Sequence, residues 1–136
     1  MTSIKPLEAS SIQYPTSTVN RAERAMCCVP FLLPLFVAMR SKSVPIQAIA
    51  GQEGVTNHYT QRPLSELVAE GDLMWLIQVG LLRREVDGQG ITDSFRLTPL
   101  GRQLVEKWEK QGGKLPSPSV LDRLYNALSR WLRLPI

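Results

Sequence analysis

The stretch from Gly80 to Trp108, GLLRREVDGQGITDSFRLTPLGRQLVEKW, constrains the fold more than any other part of the chain. Leu81 to Val86 reads as a strand with Arg83 and Arg84 at its centre. Gly88 and Gly90 tolerate positive φ and permit a sharp reversal. Ser94 to Leu97 returns as a second strand. Thr98 then caps a helix that has Pro99 at its first position, where a missing N–H is harmless. Leu100, Leu104, Val105 and Trp108 share one face of that helix. Lys107 and Lys110 suit its last turn, and Gly112–Gly113 end it. Leu100, Leu104 and Trp108 are therefore expected in the core.

Upstream, the chain from Ala25 to Met39 carries no charge. A membrane span needs about twenty residues, which this run does not reach. Pro30 and Pro34 would also kink or break a helix. The expectation is a buried helix or helix pair, in the core or in a dimer interface, with Asn20 as its N-cap. A membrane-inserted hairpin is the alternative. Residues 1–19, rich in Ser, Thr and Pro, read as a flexible arm, extended or disordered, without targeting character.

The middle of the chain supports two parses. In the favoured one, a short helix spans Val44 to Ala50 and a polar loop covers Gly51 to Gln61. A helix then opens at Pro63, with Leu64, Leu67 and Val68 on one face. Gly71 interrupts it, and Asp72 caps a second helix carrying Leu73, Leu76 and Ile77. In the other parse, Ile46 to Gly51 is the first helix, Gly54 marks the turn, and Pro63 to Val79 is one long helix. The apolar phase slips by about half a turn across Gly71, which favours the break.

A linker, residues 113–118, leads to SPSVLDRLYNALSRWLRLPI. Ser119 and Asp122 have the spacing of a capping box. Leu121, Leu124, Tyr125, Leu128 and Leu132 form an apolar stripe at helical spacing. Pairing two subunits is the first expectation for this stripe; packing onto its own core and lying on a membrane surface follow.

These residues carry a resemblance. Helix, turn, helix, then GLLRRE, a glycine hairpin and FRLTPLGRQLVEKW, resembles the winged helix-turn-helix superfamily, in the manner of MarR- and PadR-type regulators. The likeness covers roughly residues 44–110, and LTPLGR, Leu97 to Arg102, is its most specific piece. The expected class is α+β: mainly helical with a small β-hairpin wing, residues 20–112, plus an N-terminal apolar helix and a C-terminal amphipathic helix at 119–136. The resemblance implies a transcriptional regulator that binds double-stranded DNA, with the second helix in the major groove and the wing on the backbone. Arg62, Trp75, Gln78, Arg83, Arg84, Arg96 and Arg102 are then the DNA-binding candidates, and a homodimer forms through Leu121, Leu124, Tyr125, Leu128 and Leu132. Winged helices also serve as protein-interaction modules. Here the favoured parse gives a recognition helix, DLMWLIQV, with no Lys or Arg, whereas base edges are read mostly by Arg, Lys, Asn or Gln. A protein partner on this apolar helix is the alternative.

Charge bears on both readings. Residues 1–80 contain six Lys/Arg and six Asp/Glu; residues 81–136 contain ten and six, so the net +4 lies wholly in the second part. That suits an anionic partner or a solvated surface. Adjacent Cys27 and Cys28 build no disulfide framework, and a reducing, cytoplasmic setting is expected. His58 lies in a polar loop without a Cys or a second His nearby, so neither metal nor cofactor is expected. No phosphate-binding loop or nucleophile–base spacing points to an enzyme. A membrane partner is not expected.

Overall fold

A computed structural model describes residues 12–136. The element order is α1 (Thr16–Cys28), α2 (Leu33–Ser41), β1 (Val44–Pro45), α3 (Ile46–Ile49), α4 (Gly51–Thr56), α5 (Glu66–Gln78), β2 (Leu82–Asp87), β3 (Gly90–Leu97), α6 (Pro99–Lys110) and α7 (Val120–Trp131). The fold is α+β, with one antiparallel three-stranded sheet in the order β1-β3-β2.

The uncharged run folds as a helix pair in the core. The chain bends by 119° between α1 and α2. Pro34 does not break α2; it sits in the first turn, where no intrahelical N–H is lost. Phe36, Met26, Leu35 and Met39 are fully buried. Among the described residues no single helix is long and apolar enough to cross a membrane. Helix α1 begins at Thr16, so Asn20 lies inside it rather than capping it, and residues 16–19 are helical rather than extended. Residues 12–15 of the expected arm carry no helix or strand, and residues 1–11 lie outside the described residues.

The middle has the single long helix of the second parse but not its turn at Gly54, which lies inside α4. Helix α5 runs unbroken through Gly71, with Ser65 as its N-cap: the Val68 N–H donates to Ser65 Oγ at 3.1 Å. The phase slip that suggested a break has another cause. Leu64 is buried but precedes the helix, while Leu67 and Val68 belong to it and face outward. Two apolar side chains at the surface mimicked a second core-facing stripe. Asp72 is not a cap; it is buried in an ion pair. Nor is Val44–Ala50 one helix. Val44 and Pro45 add a third strand opposite Phe95 and Ser94, and half of the expected polar loop is α4. The α3–α4 corner depends on Gly54, where an added Cβ would lie 1.9 Å from the Ile49 carbonyl oxygen.

The hairpin is longer than expected, because β3 starts at Gly90 rather than Ser94. Its register pairs Leu82 with Leu97, Arg83 with Arg96 and Arg84 with Phe95, and an irregularity follows Arg84. The step into α6 is built as LTPLGR suggests. Thr98 Oγ1 accepts from the Gly101 N–H at 3.1 Å and donates to the carbonyls of Gly80 and Leu81. Gly101 presses on the start of β2: a Cβ there would lie 2.5 Å from the Leu81 oxygen. Leu100, Leu104 and Val105 are buried on this helix, but Trp108 is only half-buried and carries Lys107 over its ring. Truncating Trp108 therefore costs less than the roughly 3–5 kcal/mol of a fully buried aromatic.

Candidate interaction surfaces

Two surfaces combine exposed apolar side chains with positioned charge. The first is the outward side of α5 and the hairpin beside it. Helix α5 buries Ala69, Asp72, Leu73, Trp75 and Leu76. This leaves Leu67, Glu70, Met74 and Gln78 outward, a stripe at intervals of three and four residues. Leu67 is 82 % exposed. Arg84 reaches this stripe from β2. Its guanidinium lies 3.2 Å from Met74 Sδ, 3.8 Å from a Glu70 oxygen and 3.2 Å from an Asp93 oxygen, and stacks 5.1 Å from the centre of the Phe95 ring. Arg84 is thus held at the middle of the stripe by two carboxylates, while Arg21 and Arg133 line the cleft at its Gln78 end. At the hairpin tip, Val86 and Ile91 face each other and are both exposed.

The other DNA-binding candidates do not gather here as one basic face. Trp75 is 5 % exposed, and its indole N–H donates to Asn126 Oδ1 at 2.9 Å. Trp75 is thus enclosed in the packing between α5 and α7 rather than presented at the surface. Arg96 pairs with Glu85 at 3.6 Å, and both are about 30 % exposed. Strand alternation puts Arg83 on the hairpin face opposite Arg84, exposed and in no ion pair among the described residues. Arg62 is exposed between α4 and α5, on a cleft shared with Pro116 and Arg123. Gln78 lines a separate cleft with Arg21 and Arg133. Arg102 is half-buried on α6.

The second surface is α7. Its capping box is complete: Ser119 Oγ accepts from the Asp122 N–H, and Asp122 Oδ2 accepts from the Ser119 N–H, both at 3.0 Å. Those hydrogen bonds hold the Asp122 carboxyl below its usual range. Helix α7 packs on α1, but with its polar side inward. Arg130 donates to Asp72 at 2.8 Å, Asn126 takes the Trp75 indole, and Ser129 is buried. Leu121, Leu124, Tyr125 and Leu132 are exposed, and Leu128 is half-buried.

The sequence reading missed the contacts that decide both surfaces. Nothing in sequence spacing links Asp72 to Arg130, or Arg84 to Glu70. The signal that was available is the polar spacing of Asp122, Asn126, Ser129 and Arg130, which share the side of α7 opposite its leucines. His58 is exposed, and Cys27 and Cys28 are free, half-buried thiols. Burial is the largest cause raising both thiols, and it pushes Cys27 up to about 12.

No curated protein and no solved structure matches the chain. A family model described as Npun_F0494-like matches residues 12–130, nearly the whole chain, and the chain therefore belongs to the Npun_F0494-like family.

Proposed function

We propose that this protein is a winged-helix interaction module that docks a protein partner through the outward side of α5 and the adjoining wing. The winged-helix reading is supported by the element order. Helix α2, strand β1, the α3–α4 pair, α5 and the β2–β3 hairpin follow one another, with β1 added to the free edge of β3. In this reading α5 takes the part of the recognition helix.

The observation that carries the choice of partner is the charge of that helix. Residues 66–78 contain Glu66 and Glu70 outward, Asp72 paired inward with Arg130, and no Lys or Arg. Its exposed stripe is Leu67, Glu70, Met74 and Gln78, and Arg84 beside it is offset by Glu70 and Asp93. Duplex DNA presents one negative charge per ~1.7 Å of its axis, so a face with surplus carboxylate is repelled. An apolar stripe edged by acids instead fits a protein surface that is apolar at its centre and basic at its rim.

A second reading, a transcriptional regulator that grips duplex DNA, is favoured by Arg83, which is exposed on the wing and in no ion pair among the described residues, and by the +4 net charge of residues 81–136. The two readings part on one experiment. Tagged chain is recovered from the cells that make it, as wild type, as Leu67→Glu/Met74→Glu and as Leu124→Glu. Docking through α5 predicts a specific companion protein that the double variant loses and the α7 variant keeps. A companion retained by the double variant, or nucleic acid alone, counts against it.

A further inference from the structure

We infer that α7 pairs with α7 of a second copy of this chain, antiparallel across a twofold axis near Asn126. The first observation is that α7 is mounted inside out. An amphipathic helix at a protein surface normally buries its apolar side. Here the side turned to α1 and α5 is polar, fixed by Arg130–Asp72 and Asn126–Trp75. The side turned to solvent carries Val120 at 86 %, Leu121 at 53 %, Leu124 at 51 %, Trp131 at 70 % and Leu132 at 65 % exposure. The inward contacts are specific and charge-assisted, so the helix cannot roll over to bury its leucines without leaving Asp72 unpaired in the interior.

Exposed Leu134 and Ile136 extend this face, and Tyr125 lies at its edge, stacked under Arg24 of α1. Contiguous apolar patches beyond about 300–600 Å² are rare on monomers, and each partner in a standard interface buries about 800 Å².

The order of residues identifies the occupant. A twofold interface brings the same patch of both chains together, so residue i meets j while j meets i. Two antiparallel helices related by such an axis need a pattern that reads alike in both directions from its centre. The apolar residues of α7 have it. Leu124 and Leu128 stand equally far on either side of Asn126, as do Leu121 and Trp131, and Val120 and Leu132. Each leucine therefore meets an apolar side chain of the partner along the whole seam. Antiparallel packing also sets the two helix dipoles in opposition, which is favourable. A membrane surface or an unrelated protein makes no such demand on sequence symmetry. This inference does not depend on what α5 binds.

Sedimentation and cross-linking test it together. The full chain has a mass of 15.2 kDa and is expected to sediment at twice that value at micromolar concentration. Leu128→Glu is expected to sediment as a monomer with its helical circular dichroism retained. Leu124→Cys and Leu128→Cys chains, mixed and mildly oxidised, should cross-link far more than either variant alone, because antiparallel pairing sets position 124 against position 128. Four results would overturn the inference: a monomeric wild type, a Leu128→Glu dimer, open-ended polymers, or equal cross-linking of each cysteine variant with itself. Recruitment of a monomeric wild type to vesicles rich in anionic lipid, lost in Leu128→Glu, would assign the face to a membrane instead.

Discussion

Single residues hold this structure at points where no alternative side chain fits. Gly101 is one: its missing Cβ lets α6 close on the Leu81 carbonyl. Gly101→Ala should destabilise the fold by roughly 1–3 kcal/mol, as overpacking does, read by chemical denaturation. A change near zero would mean that α6 does not press on β2. Arg130 is another. It and Asp72 are 17 % and 13 % exposed, and their pair ties α7 to α5. Arg130→Met should cost about 2–3 kcal/mol, somewhat less than removing one partner of a fully enclosed pair. The cysteines follow from their burial. Raised above the usual thiol value, with Cys27 at about 12, both stay protonated at neutral pH, and it is the thiolate that reacts. Maleimide should label the folded protein far more slowly than the unfolded chain.

At the scale of elements, the hairpin and α6 were legible because their signals are local. A glycine turn, a Thr cap, a proline at the first helical position and a period-four apolar face all lie within one stretch of chain. The capping box of α7 was legible for the same reason. Strand β1 was not, since two residues carry no periodicity and Val44 becomes a strand only because Phe95 lies beside it. The continuity of α5 was misread because Leu67 and Val68 look like core residues. Gly71 offers a direct check. It sits mid-helix with ordinary φ, and an added Cβ would meet only the end of Arg130, at 3.6 Å. Gly71→Ala should therefore stabilise the protein by about 0.5–1 kcal/mol, through the helix propensity gained. A helix broken at Gly71 would give the opposite sign in the same melting experiment.

For the molecule as a whole, the candidate site was half legible. The sequence located a basic surplus and an apolar helix without cations, but could not show how ion pairs distribute that surplus. Arg84, Arg96, Lys107 and Arg130 are each held by a carboxylate. The other six cations of residues 81–136, in no ion pair among the described residues, are Arg83 on the hairpin, Arg102 and Lys110 on α6, Lys114 before α7, Arg123 on α7 and Arg133 beyond it. In the protein-docking reading, charge spread in this way builds no phosphate-binding face. The most direct test of protein docking over DNA binding is titration of labelled duplexes at several salt concentrations. Docking through α5 predicts no saturable binding at physiological salt, and identical behaviour for the Arg83→Ala/Arg84→Ala/Arg96→Ala variant. Saturable binding whose log affinity falls with log salt, by about 0.9 for each phosphate engaged, and whose slope flattens in that variant, would contradict it.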